Sequence, residues 1–246
     1  MQPAYHKPSY WDTRYTEHPE PLEWYQNYNS LKSHIQSHVY PLHSVLHVGC
    51  GNSSLPLEME KDGYKRIHNI DISAVLIERM IEEMGEGRGG IEWQVMDCRS
   101  MEFEDETFDR VLDKGCMDTV LATEESERAG EWIAAALLSH TLVCKSLKTQ
   151  AHNELGFSLL VHSLAVASYL SHVSRVLRPA GKFILVSLSP PSTNLPFLSN
   201  EDFSWSVECT ELVKPVIGGE REKMNLSEDP KSAHYLYVCT MGNDCE

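Results

Sequence analysis

Two glycines and an acid carry the clearest chemical signal in this chain: Gly49 and Gly51, with Asp71 placed 22 residues after the first. Glycine lets a backbone come close to a ligand where a side chain would collide. Asp71 ends an apolar stretch, where a carboxylate is placed to accept hydrogen bonds from two ribose hydroxyls. The dinucleotide fingerprint asks for a third glycine at position 54, but this chain has Ser54, so the turn reads Gly49-Cys50-Gly51-Asn52. That disfavours a pyrophosphate on the helix N-terminus and favours an adenosyl ligand without one. A purely structural glycine turn is the plain alternative. Asp71 weighs against it, because an acid at the end of a buried strand is costly without a partner.

Two further acids sit in the same way. Asp97-Cys98 closes a second apolar run, and a carboxylate beside a backbone N–H can read the edge of an adenine ring; its plainer role is to cap a loop. Asp113-Lys114-Gly115 closes a third run, where in the plainer reading the acid and the lysine pair with each other. Strands that end in charged residues at one sheet edge build a site at the topological switch point. Three such acids together with the glycine turn make the signal. Upstream, residues 9–28 hold six aromatics in twenty positions. Either this segment simply packs over the sheet, or it is a lid on a planar ligand, with Trp11, Tyr15 and Trp24 on its inner face. Aromatic faces also attract cations, sulfonium included.

The elements that must position these residues follow from periodicity. Val45 to Val48 is a short apolar run suited to a buried parallel strand. Asn52, Ser53 and Ser54 are N-cap types ahead of a helix from Leu55, which Gly63 can end. Arg66 to Ile70 is a second strand. Ser73 can cap a helix through Met84, followed by a loop with Gly85, Gly87, Gly89 and Gly90. Ile91 to Met96 and Phe108 to Leu112 read as strands three and four, Lys182 to Leu188 as strand five. Phe203 to Cys209 and Tyr235 to Thr240 read as a closing pair. Leu31 to Val39 is a helix leading into strand one, and Val166 to Leu177 a helix ended by Pro179 and Gly181. Residues 124–168, with Ile133 to Leu138 and Leu155 to Ala167 as apolar runs, give two helices flanking a polar bridge from Lys145 to Glu154. Gly218 to Lys223 and Ser227 to Lys231 form an exposed loop.

With 246 residues the chain has enough length for one large domain with a proper core. A net charge of −15 argues against nucleic acid, which needs clustered Lys and Arg, and fits a basic protein partner. The seven cysteines are odd in number, scattered and without a C-x-x-C pair, which implies a reducing compartment, the cytoplasm, and no zinc site. The twelve histidines show no metal-ligand spacing. The N-terminus has no apolar core for a signal peptide, and no apolar run is clean enough to span a membrane.

Tyr10-Trp11-Asp12, Glu23-Trp24-Tyr25, Val45 to Ser53, Asn69 to Ser73, Met96-Asp97, Val111 to Gly115 and Val173 to Phe183 resemble the seven-stranded S-adenosylmethionine-dependent methyltransferases. More narrowly, they resemble the methyltransferase-like branch that modifies lysines of translation elongation factor 1-alpha. The resemblance covers residues 9–123 and 166–188 well, and 203–240 loosely. It implies an α/β, Rossmann-like, doubly wound sheet of strand order 3-2-1-4-5-7-6 with strand seven antiparallel. It also implies a single domain over residues 1–246, with an aromatic lid over 9–40, and S-adenosyl-L-methionine as cofactor. The pocket would be lined by Trp11, Tyr15, Trp24, Gly49, Gly51, Asp71, Ile72, Asp97, Cys98 and Lys114. Asp71 would hold the ribose, Asp97 and the Cys98 backbone would meet the adenine, and Gly49 would let the methionine moiety lie close.

One stretch departs from the pattern. Met117 to Leu177 is longer than the family needs by roughly a helical hairpin, centred on 124–165, as an insertion or a mispredicted exon would be. Foreign residues there would displace the helix before strand five. The expected reaction is in-line methyl transfer to a neutral amine, which needs alignment more than a strong base. No catalytic base and no metal are assigned; rim acids such as Asp113 or Asp118 would orient the amine. The expected partner is a protein, elongation factor 1-alpha, and the expected state a monomer. Rival readings are a small-molecule or N-terminal amine methyltransferase, a catalytically inactive binding module, and a nicotinamide-dependent oxidoreductase, the last weakened by Ser54.

Overall fold

Four residues, Val45–Val48, form β1 and are buried without exception, as a strand covered on both faces must be. The computed structural model describes residues 4–84, 88–122, 154–213 and 233–242. Around β1 it sets β2 (Ile67–Asp71), β3 (Ile91–Val95), β4 (Phe108–Lys114), β5 (Leu177–Ser187), β6 (Trp205–Leu212) and β7 (His234–Met241). The sheet order is β3-β2-β1-β4-β5-β7-β6. The first five strands are parallel, and β7 runs antiparallel between β5 and β6. This is the expected topology.

Helices cover both faces. On one lie α1 (Pro8–Glu17), α2 (Tyr28–His38), α3 (Leu55–Lys61) and α4 (Ala74–Met84). Their buried Trp11, Leu31, Met59 and Leu76 pack with Val45, Leu112 and Val186 of the sheet. On the other lie α5 (Cys116–Leu121), α6 (Glu154–Val176) and α7 (Pro191–Leu198). There Met117, Tyr169, Val173 and Leu198 pack with Leu46, Val111, Phe183 and Tyr237. Alternate residues of each strand feed opposite cores, which is the two-residue period of a sheet. Ser73 caps α4 as expected, its hydroxyl accepting the Leu76 N–H at 3.2 Å.

Three expectations are corrected. β4 continues to Lys114 rather than stopping at Leu112. β5 begins at Leu177, not Lys182, because Leu177 already pairs with Phe108 before Lys182 pairs with Arg110. The residues between form a bulge in which Ala180 takes a φ of +57°. Pro179 and Gly181 therefore interrupt a strand rather than separate it from the helix. Finally, the helix before β5 is seated, not displaced: Val166, Tyr169, Leu170, Val173 and Val176 are all buried. The first predicted helix of the long stretch, its polar bridge as far as Asn153, Gly85 and Gly87, and the loop over 218–231 lie outside the described residues. No helix among the described residues is long and apolar enough to cross a membrane.

Candidate active site

At the C-terminal ends of β1, β2 and β4 the chain opens a cleft of about 820 Å³, counting its mouth. A parallel sheet places its ligand crevice there, between β1 and β4, where the strand order reverses. Trp11, Tyr15, Trp24, Gly49, Gly51, Asp71, Ile72, Asp97, Cys98 and Lys114 all line this one cleft.

The glycine turn follows β1 directly. Gly49 and Gly51 take φ of +56° and +54°, a region costly for any residue with a Cβ. A Cβ on Gly49 would come within 2.6 Å of Cys116 Sγ, and one on Gly51 within 3.1 Å of the Tyr15 hydroxyl. The missing Cβ atoms let the Cys116 side chain and the Tyr15 hydroxyl close directly on the turn.

Asp71 is buried at the end of β2. Its Oδ2 accepts the Gly51 N–H at 3.0 Å and its Oδ1 the Ser73 N–H at 3.0 Å. Burial pushes its carboxyl up to about 6, against the backbone donors that favour the charged form. Each carboxylate oxygen keeps a further lone pair for hydroxyl donors. Asp97 is gripped by Arg99, whose NH2 group sits 2.6 Å from Oδ2 and whose Nε sits 2.9 Å from Oδ1. The sequence reading missed this orienting partner two residues away.

The aromatic segment lines the cleft and is fixed at several points. Trp11 and Tyr15 stack at 5.9 Å, and Tyr5 stacks on Trp11 at 5.6 Å. Asp12 Oδ1 accepts the Ser73 hydroxyl at 2.6 Å, and Arg79 donates to the Tyr15 carbonyl at 2.8 Å, tying α1 to α4. Further along, Asn52 donates to the Glu20 carbonyl. Tyr25 takes a φ of +62° while the Gln26 N–H reaches the Trp24 carbonyl at 2.7 Å, a strained three-residue turn.

Glu23, which the sequence reading did not single out, is the hinge of this arrangement. Its carboxylate accepts the hydroxyls of Ser53 and Ser54 and the Ser54 N–H, all at the start of α3. Its Oε2 also lies 2.9 Å from Lys114 Nζ, which donates to the Trp24 carbonyl at 3.1 Å. Burial works against the charge on both partners; at Glu23 the lysine and the hydroxyls win and hold the carboxyl below its ordinary range, whereas at Lys114 burial wins and lowers the ammonium. The 2.9 Å contact and the satisfied donors describe a charged pair.

Asp113 does not pair with Lys114, because adjacent strand residues point to opposite faces. Nor is it a rim acid. It is buried, caps α5 by accepting the N–H groups of Cys116 (2.7 Å) and Met117 (2.9 Å), and accepts the Tyr169 hydroxyl at 2.7 Å. Asp118 is likewise engaged, accepting the Ser187 and Ser189 hydroxyls and the Leu188 N–H at the end of β5. Two more lining residues escaped the sequence reading. His47 is buried and pushed down to about 4 by burial and by Lys114, so it is neutral, its Nδ1 3.1 Å from Asn69 Oδ1. Cys116 lies over Gly49, its sulfur 3.8 Å from that of Cys98. Among the described residues no cluster of metal-ligating side chains occurs.

A family model described as a methyltransferase domain matches residues 45–140. EEF1A lysine methyltransferase 4 of Mus musculus is 27% identical over 208 residues, covering 84% of this chain and 70% of the relative. The eEF1A lysine and N-terminal methyltransferase of Homo sapiens is 39% identical over 119 residues, covering 48% of this chain but only 17% of that relative. The putative methyltransferase of Haloferax volcanii, solved in complex with the Trm112 methyltransferase activator, shares the fold: TM-score 0.58 at 13% identity, over 99% of each chain. The order of the seven strands, the family match over residues 45–140 and these relatives agree: the chain carries a methyltransferase domain with the fold of the seven-stranded S-adenosylmethionine-dependent enzymes.

Proposed function

We propose that this chain binds S-adenosyl-L-methionine in the cleft and methylates a lysine side chain of translation elongation factor 1-alpha. The observation that carries the cofactor assignment is the convergence of a glycine turn, a buried acid and an aromatic wall on one cleft, beside a helix N-terminus already filled by Glu23. A pyrophosphate would meet that carboxylate; an adenosyl ligand without phosphates does not need the position. The substrate assignment rests on the names of the relatives, and the net charge of −15 suits a basic protein partner rather than nucleic acid. The reading includes a cytoplasmic monomer; the described cysteines are free thiols, as a reducing compartment keeps them.

When bound, the cofactor supplies an electrophilic methyl group on a sulfonium. The chain's part is placement. Asp71 would accept the ribose hydroxyls, and Asp97, fixed by Arg99, would meet the adenine together with the Cys98 backbone, with Ile72 lining the same cleft. Gly49, without a Cβ, admits the Cys116 side chain against the turn. The rings of Trp11, Tyr15 and Trp24 exclude water and present faces that attract a cation. Exclusion of water also favours the neutral form of an entering lysine, which is the nucleophilic one. Because Asp113 and Asp118 are committed to α5 and the end of β5, neither is assigned as a base, and alignment supplies the acceleration. The test is transfer of labelled methyl to purified elongation factor 1-alpha, with the site read by mass spectrometry. Label on a lysine, absent with Asp71→Ala, supports the reading; label on the N-terminal amine alone, or none, overturns it.

A further inference from the structure

We infer that Cys98 and Cys116 form a modification site: a dithiol that a peroxide converts to a disulfide, closing the cleft to its ligand. The inference rests on the cofactor reading of the cleft. The two sulfurs are 3.8 Å apart, and both residues are free thiols, partly exposed, that line the same cleft. They come from different elements. Cys98 lies in the turn after β3 and Cys116 opens α5. A disulfide needs about 2.05 Å between sulfurs, so each has to move by less than about 1 Å. No backbone segment has to cross the cleft for them to meet.

The chemistry balances. Cys116 donates its S–H toward Cys98, which therefore presents sulfur lone pairs to an incoming oxidant. That hydrogen bond, together with burial, holds the Cys116 thiol well above its ordinary range, so it enters as the resolving partner and not the first nucleophile. Cys98 attacks the peroxide oxygen, giving a sulfenic acid and one water. Cys116 then attacks the sulfenic sulfur, forming the S–S bond and releasing a second water. The peroxide is reduced and the two thiols are oxidised by two electrons. Cys50 also lines the cleft, but it is buried and its thiol is pushed well up by burial and by Asp71.

The consequence follows from where Cys116 sits. Its sulfur already lies over Gly49, at the place where a Cβ on that glycine would collide. A bridge would fix this sulfur against the turn and tie it to the residue after Asp97. The surface offered by the glycine turn and the adenine-facing end would then be joined by a rigid bond in place of two thiols that can rotate away. Reduction by a dithiol restores the open cleft, so the site reports peroxide and is reversible.

The experiment takes the full chain, reduced or exposed to hydrogen peroxide, and measures two things on each sample. One is the Cys98–Cys116 cross-linked peptide by mass spectrometry without reductant. The other is S-adenosylhomocysteine affinity by calorimetry. The expected result is the cross-link together with a loss of affinity of tenfold or more, both reversed by dithiothreitol. Cys116→Ser, compared with its own reduced form, shows no peroxide-dependent loss. Absence of the cross-link when the reduced protein binds the ligand overturns the inference alone, as does a cross-link with affinity unchanged. A reduced protein that binds no S-adenosylhomocysteine overturns the cofactor reading, and this inference with it.

Discussion

Glu23 Oε1 accepts the backbone N–H of Ser54 at 2.7 Å, so a carboxylate from the aromatic segment occupies the N-terminus of α3. In a dinucleotide-binding fold that position holds a phosphate, because unpaired N–H groups and the helix dipole favour an anion there. Here the anion is supplied from within the chain, 31 residues upstream, and its charge is shared with Lys114. NAD is therefore expected to show no measurable binding by calorimetry.

Replacing Glu23 with alanine removes that anion and leaves Lys114 buried beside the cleft without its carboxylate. Breaking a buried ion pair from one side costs about 3 kcal/mol. The expected outcome for Glu23→Ala is a loss of stability of that order in urea unfolding, with weakened S-adenosylhomocysteine binding as the aromatic segment loosens.

Asp71 is expected to govern ligand binding and its pH dependence. On the proposed reading the ribose hydroxyls would donate to its charged carboxylate, and burial raises that carboxyl above the ordinary range, to about 6. Affinity for S-adenosylhomocysteine is thus full above that pH and falls several-fold by pH 5.5, as protonation removes acceptor capacity. Asp71→Asn flattens this profile. Asp71→Ala abolishes binding while the melt stays cooperative.

Asp113 sets a second pH effect, on stability. Burial pushes its carboxyl up to about 7, far above an unfolded carboxylate, so the native state holds a proton that the unfolded chain has released. The contribution of this one group to stability is fullest below about pH 4 and declines as pH rises toward 7, where the native group ionises as well. In Asp113→Asn that decline shrinks. Denaturant midpoints at pH 4.5 and 7 show it.

Gly49→Ala tests the turn. A Cβ there adopts a left-handed conformation, costing about 1–2 kcal/mol, and meets Cys116 Sγ at 2.6 Å besides. A stability loss of at least that size and a marked drop in ligand affinity are expected.

The β1–turn–α3–β2 unit was legible because its signals are local: an apolar run, two glycines, N-cap residues and an acid follow each other within a few turns of chain. The seven-stranded order came through the family resemblance those residues carry. What stayed hidden acts over long separations. Lys114 and Glu23 stand 91 residues apart, and nothing in the local sequence marks Glu23 as its partner. Asp113 read as a rim acid because a strand end in sequence is usually exposed; Tyr169, 56 residues away, and the first turn of α5 bury it. Proline and glycine normally end an element, so the sequence points to Lys182 as the start of β5, whereas Leu177 pairs with Phe108 before a bulge that contains them. Asp97's grip by Arg99 lies only two residues away, but a short charged pair in a loop carries no period to read.

The most direct measurement is calorimetry of the reduced protein with S-adenosylhomocysteine, with NAD and Asp71→Ala as controls. Low-micromolar binding of S-adenosylhomocysteine by the natural chain, and by neither control, is the predicted result. A cooperatively folded protein that binds no S-adenosylhomocysteine would contradict it, leaving the cleft without its cofactor and the fold as a binding module.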